Sequence, residues 1–245
     1  MSIAQFQKAL YQMIADIPTC IAVRSGNKKF LSNFELTNKE RRRLLSVSMQ
    51  PGMNTNCTLF RMNRVTPLYT SMPNICKMLQ KKLLDILLEF WEKHPKSTLQ
   101  YKEEIKLFYF FLKNKIEDNS ISIQYLDKIL EFEGKINELR FDDSYTTEPR
   151  GKYILSKHLR LIKWNCDPSI LLENIAEENY KFPNLPEETH YLLVENSSEN
   201  LELKMINNSL GTILENLEKF DNIPTELMEM GFVERNQNEM IHMGI

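Results

Sequence analysis

A chain of 245 residues with 42% hydrophobic and 26% charged side chains is long enough to bury a sizeable core, as one large domain or two small ones. No apolar run approaches a membrane span, no signal peptide is expected at the start, and seven glycines supply no phosphate loop, dinucleotide fingerprint or nucleophile elbow. The net charge of −2 hides an asymmetry: residues 171–245 hold 15 Asp/Glu against 4 Lys/Arg, a balance of −11 that leaves +9 for residues 1–170.

In chain order, residues 1–150 read as helices. Ile3 to Ile14 repeats Phe6, Leu10 and Ile14 at four-residue spacing, whereas 18–36 shows no clear period. A helix over Asn38–Met49 is expected behind a cap at Thr37 or Asn38, carrying Arg41, Arg42 and Arg43 beside Leu44 and Leu45. That charge run is either a solvated face or a patch that steers an acidic partner. Cys57 to Pro67 predicts a helix bent or ended at Pro67. On it Arg61 and Arg64 share a face, close to Asn63. Two guanidinium forks there suit a carboxylate clamp or a subunit contact. The alternative is that Asn63 ties down local backbone and the arginines are solvated. Three stripes follow: Leu83, Leu84, Leu87, Leu88 and Trp91; Tyr101, Ile105, Phe108 and Leu112; Tyr125, Leu126, Ile129 and Leu130. The aromatic run Phe108–Phe111 reads chiefly as core, with Tyr109 or Phe110 as the members that would face a partner. Carboxylates such as Glu103 and Glu104 fit solvated helix faces.

Cys20, Cys57, Cys76 and Cys166 follow no disulfide or zinc spacing, so free thiols in a reducing, cytoplasmic setting are expected. His94, His158, His190 and His242 stand without a second ligand at metal spacing. No catalytic constellation emerges, and the expectation is a binding or accessory protein that is not an enzyme by itself and holds no cofactor or metal.

The polar stretch 140–152 is the candidate linker, dividing a helical domain (1–150) from a second one (151–245). His158–Trp164 alternates as a strand, and Asp167-Pro168 opens a short helix through Ile175. Thr189–Val194 is a short apolar run, followed by turn-forming residues 195–200 and then Leu201, Leu203 and Met205 alternating with Glu202 and Lys204. Leu210, Ile213, Leu214 and Leu217 make a helical stripe behind Asn207, Asn208 or Ser209, and a second short helix follows Pro224 and ends at Gly231. Hairpin, helix, helix is the layout of a small winged-helix-like module, so the fold class expected is α+β with a short antiparallel sheet. DNA would need a basic recognition helix, and 208–219 offers Lys219 against Glu215 and Glu218. A winged-helix regulator is therefore the weaker reading, a free-standing enzyme weaker still, and no nucleic-acid or membrane partner is expected. A peptide that adds a strand to the edge Leu201–Ile206 needs only backbone groups and pockets for alternate side chains.

One resemblance covers most of residues 4–180. Leu59-Phe-Arg-Met-Asn-Arg-Val-Thr-Pro-Leu-Tyr69, Met72-Pro73, Leu79, His94-Pro95, Tyr101 and Phe110-Phe111-Leu112 follow, in order and spacing, a family pattern, as do Tyr125–Glu133 and Leu155–Ile162. The pattern is similar to that of the partner proteins of multinuclear non-heme iron oxidative enzymes, which modify ribosomal peptides. Lys204–Leu217 independently resembles the strand-turn-helix of elements that capture leader peptides. Within the family the chain looks most like the partner of the thiaglutamate (pearlin) pathway, with methanobactin-type partners next. The resemblance implies a heterodimer: a separate barrel-shaped enzyme holds the iron, and this chain binds the leader of a ribosomal precursor peptide and presents its end. The residues expected at the peptide are Leu201, Glu202, Leu203, Lys204, Met205 and Ile206, with Ile213 and Leu217. Those expected at the enzyme or substrate are Arg61, Asn63 and Arg64.

Overall fold

The computed structural model describes residues 3–27, 29–95, 97, 100–142, 144–145, 151–179, 184–196 and 200–236. In chain order it contains α1 (Ile3–Ala15), α2 (Ile17–Arg24), α3 (Asn38–Ser48), α4 (Pro51–Ser71), α5 (Pro73–Leu79), α6 (Leu83–Lys93), α7 (Tyr101–Glu117) and α8 (Leu126–Arg140). There follow β1 (Tyr153–Leu155), β2 (Leu159–Trp164), α9 (Pro168–Ala176), β3 (His190–Asn196), β4 (Leu201–Ile206), α10 (Asn208–Glu215), α11 (Thr225–Glu229) and β5 (Val233–Arg235). The protein is mostly helical with small antiparallel sheets, an α+β fold as expected. No helix among the described residues is long and apolar enough to cross a membrane.

The chain forms two compact units, Met1–Thr70 with Lys81–Phe108 and Ser71–Gln80 with Tyr109–Ile245. This division does not follow the expected boundary at 150, and part of the expected linker, 143 and 146–150, lies outside the described residues. The physical reason is that α8, counted by sequence with the helical half, supplies part of the core around the sheet.

In the first unit Ala9, Met13, Cys20, Val23, Leu31, Phe34, Leu44, Met53 and Cys57 form one buried cluster. The stretch read as irregular contains α2, capped by Asp16, whose carboxylate accepts the Thr19 N–H (3.2 Å), with Pro18 in the first turn. Thr37 caps α3 in a reciprocal box: its hydroxyl accepts the Glu40 N–H (3.2 Å) and Glu40 accepts the Thr37 N–H (2.7 Å). Helix α4 neither breaks nor ends at Pro67 but continues to Ser71. Pro67 and Leu68 are both buried, and that packing offsets a lost N–H bond worth about 3 kcal/mol in an unsupported helix. On α6 the buried side is Leu83, Ile86, Leu87 and Phe90, while Leu84 and Leu88, expected on the stripe, face solvent.

In the second unit three strands pair antiparallel in the order β2-β3-β4, and β1 pairs with β5 in a separate ribbon. Neither β1 nor β5 is foreshadowed by alternation, since each is three residues long. The register sets Leu161 opposite Leu193 and Leu193 opposite Lys204. One sheet face, with Leu159 and Leu193, is covered by Leu214, Leu217 and Leu227 from the C-terminal helices. The other carries Ile162, Trp164, Leu192 and Val194, all buried, and Phe132 of α8 meets Trp164 at 5.9 Å between ring centroids.

Candidate functional site

The phase of the β-ladder decides which backbone groups β4 offers. The Asn196 N–H donates to the His158 carbonyl (2.8 Å), so alternate residues from His158 along β2 exchange hydrogen bonds with β3. Tyr191, Leu193 and Glu195 therefore point their N–H and C=O groups at β4, where they meet Ile206, Lys204 and Glu202. The backbone groups of Leu201, Leu203 and Met205 then face away from the sheet, along an edge that no further strand covers among the described residues. Their side chains continue the apolar face begun by Leu192 and Val194, and Leu203 and Met205 are each 48% exposed.

Glu202 and Lys204 lie on the opposite face. The Lys204 ammonium bridges Glu195 (2.6 Å) and Glu202 (2.9 Å), and these hydrogen bonds raise its pKa. Behind them the Tyr191 hydroxyl donates to Glu215 (2.6 Å), and Lys163 donates to the same carboxylate (3.0 Å). The tyrosine bond first, then the lysine, holds Glu215 below its ordinary pKa. Beside β2 a cavity of about 330 Å³ includes Lys135, Arg160 and Lys163, but each cation is paired, with Glu138 or Glu215.

Three of the eight residues expected at the peptide do not belong to this edge. Leu217 is buried, and Ile213 and Ile206 pack against the same cluster under the sheet. The stripe that predicted helix α10 is the stripe that α10 spends on the core.

The arginine group is also not a surface fork. Arg64 is only 2% exposed, and its Nε donates to Glu104 at 2.7 Å, while Ser97 donates to the other Glu104 oxygen at 2.6 Å. Its guanidinium carbon sits 5.4 Å from the Phe90 ring centroid and 5.8 Å from that of Trp91. Arg61 shares the Trp91 ring (5.6 Å), as the three-residue spacing predicts, and is half-buried; Asn63 is exposed. Arg64 occupies the side of α4 that carries Phe60 and Leu68, which is why it turns inward. Glu104, read as solvated, is its buried counter-ion.

Sequence reasoning missed two further carboxylates, both on α8. Glu133 is buried and accepts the N–H groups of Asn74 (2.8 Å) and Ile75 (3.0 Å), thereby capping α5. Burial pushes its pKa up to about 8 against the opposing pull of those two bonds. Glu138 accepts from Arg160 (2.8 Å) and the Tyr145 N–H (3.3 Å). The only cue was a set of acids on one helix, Asp127, Glu131, Glu133 and Glu138, which looks the same in sequence whether solvated or buried. All four cysteines are buried and unpaired, and no metal-holding group of three or more His, Cys, Asp or Glu occurs among the described residues. No family model matches the chain, and no curated protein is significantly similar to it.

Proposed function

We propose that this chain is a non-catalytic, peptide-binding partner subunit, acting in the cytoplasm, that captures the leader of a ribosomal precursor peptide. The leader adds a strand to β4 and is presented to a separate barrel-type, iron-dependent oxidative enzyme, which acts on a peptide cysteine. The observation that carries this reading is the open β4 edge: outward N–H and C=O groups at Leu201, Leu203 and Met205 beside half-exposed Leu203 and Met205. The resemblance of residues 4–180 to such partner proteins supports the second half of it.

The ladder phase selects the test. Proline at Leu203 or Met205 removes an outward donor and leaves the ladder intact, whereas proline at Lys204 removes a ladder bond. The probe is the labelled N-terminal leader of a short precursor peptide, sought among the reading frames that neighbour this chain's gene, titrated by fluorescence anisotropy. Leu203→Pro and Met205→Pro should keep the native circular dichroism and weaken binding about tenfold or more, the equivalent of ~1.4 kcal/mol. Unchanged affinity in both folded variants would exclude strand addition at β4.

A further inference from the structure

The first unit carries 16 Lys/Arg against 8 Asp/Glu, a net +8, and its surface holds a feature that the β4 reading does not use. Between α2 and α3 lies a cavity of about 340 Å³, with buried Val23 and Leu31 and half-buried Leu45 in its wall and Asn27, Asn38 and Arg42 exposed at its lip. That volume is at the low end of the range for ligand pockets, about 300–1,000 Å³, and accommodates a large apolar side chain.

The charge around it is predominantly positive, since residues 17–48 hold 7 Lys/Arg against 2 Asp/Glu. Arg41 is fully engaged, but by neutral partners: it donates to the carbonyls of Leu31 (2.6 Å), Phe34 (3.2 Å) and Leu36 (3.2 Å). Arg24 likewise donates to the Ser48 carbonyl and the Asn54 side chain, both at 2.8 Å. Arg42 and Arg43 are exposed and make no ion pair among the described residues. Four guanidinium charges thus surround α2 and α3, with Glu40 at the start of α3 offsetting only part of the charge of Arg43, and hydrogen bonding to carbonyls fixes two of them in place. A water-accessible apolar hollow inside a fixed positive field favours one kind of visitor.

We infer that the α2–α3 hollow is the docking site for an acidic protein segment that inserts a single aromatic or large aliphatic side chain. The hollow favours such a segment over nucleic acid. Val23, Leu31 and Leu45 are aliphatic and recessed, which suits an apolar anchor, whereas single-stranded nucleic acid is held by exposed aromatic platforms. This surface is distinct from the β4 edge, so a failure here would leave the strand-addition reading standing.

The test uses the full chain and defined probes: a fluorescein-labelled heptapeptide with a central Phe flanked by three Glu on each side, the same peptide with Ala at the centre, its Lys-flanked counterpart, and labelled single-stranded RNA and duplex DNA. The Phe/Glu peptide should bind about tenfold tighter than the Ala/Glu peptide, and the Lys-flanked peptide should not bind. The double variant R42E/R43E should weaken the Phe/Glu peptide at least about tenfold and lower the salt dependence of binding. Asn27→Trp, which crowds the lip, should reduce the Phe/Glu peptide to the level of the Ala/Glu peptide, with an unchanged melting temperature certifying the fold. Equal binding of the Phe and Ala peptides, tighter binding of RNA or DNA than of the peptide, absence of peptide binding, or folded variants that bind like wild type would each overturn the assignment.

Discussion

Arg64 and Glu104 show how far a single buried pair departs from its surface reading. Two charges at 2% and 3% exposure are worth keeping only while both are present, because the survivor of a truncation is a desolvated ion. Arg64→Ala or Glu104→Ala should each cost ~3–5 kcal/mol in urea unfolding, whereas Arg64→Met with Glu104→Leu should recover most of the loss. Arg61, half-buried and joined to Trp91 by a cation–π contact, should cost ~0.5–1 kcal/mol when truncated. If Arg64→Ala left stability unchanged while abolishing partner binding, the guanidinium would have to face outward in solution.

Glu133 makes a second prediction at this scale. A carboxyl whose folded pKa stands near 8, against 4.5 ordinarily, binds its proton more tightly in the folded protein. Between those values the unfolded chain holds fewer protons, so the contribution to stability is full below about pH 4.5 and is lost as pH rises through about 8. The difference between wild type and Glu133→Gln in urea midpoint should therefore shrink as pH is raised from 5 to 8. A difference that stays constant across that window would show that the caps to Asn74 and Ile75 hold the group ionised throughout.

At the level of elements, the most sensitive contact lies where α10 crosses β3. A Cβ placed on Gly211 would stand 2.1 Å from Cγ of Tyr191, a ring buried to 2% and fixed by its bond to Glu215. Glycine costs helix stability, so Gly211→Ala on an exposed helix would be favourable by roughly 0.5–1 kcal/mol; here overpacking should reverse the sign and destabilise by ~1–3 kcal/mol. Thermal melts of Gly211→Ala and of Gly211→Ala with Tyr191→Leu would check it, the second change relieving the first. The elements themselves were legible where capping and periodicity agree: α3 behind Thr37, α9 behind Asp167 with Pro168, α10 behind Asn207, and the β3-β4 hairpin. They were illegible where an element spans too few repeats of its period to show a pattern, as with β1, β5 and α5, or where burial overrides a breaker, as at Pro67. The β4 edge could be read from alternation, but its outward-facing residues could not, because ladder phase depends on the partner strand. Arg64 and Glu104, forty residues apart, needed the tertiary fold before either could be recognised as buried.

For the whole molecule, the question is where a cut can be made. A boundary at 150 would sever the sheet from α8, yet α8 lays Phe132 on Trp164, pairs Glu138 with Arg160, and offers the Leu139 carbonyl to Asn196 (3.4 Å). Without α8 the face carrying Ile162, Trp164, Leu192 and Val194 loses much of its cover, at ~1.5–3 kcal/mol for each fully re-exposed side chain. A small domain has roughly 5–15 kcal/mol in hand, so the loss is of the same size as its whole stability. Fragment 151–245 should accordingly lack near-ultraviolet dichroism from Trp164 and show collapsed amide dispersion. Adding α8 back, as fragment 109–245, should restore cooperative unfolding, although α5 and the groups capped by Glu133 would still be missing. If 151–245 alone gave a dispersed spectrum and a sharp melt, the sheet and its C-terminal helices would form an autonomous peptide-binding module, and α8 would be a removable cover.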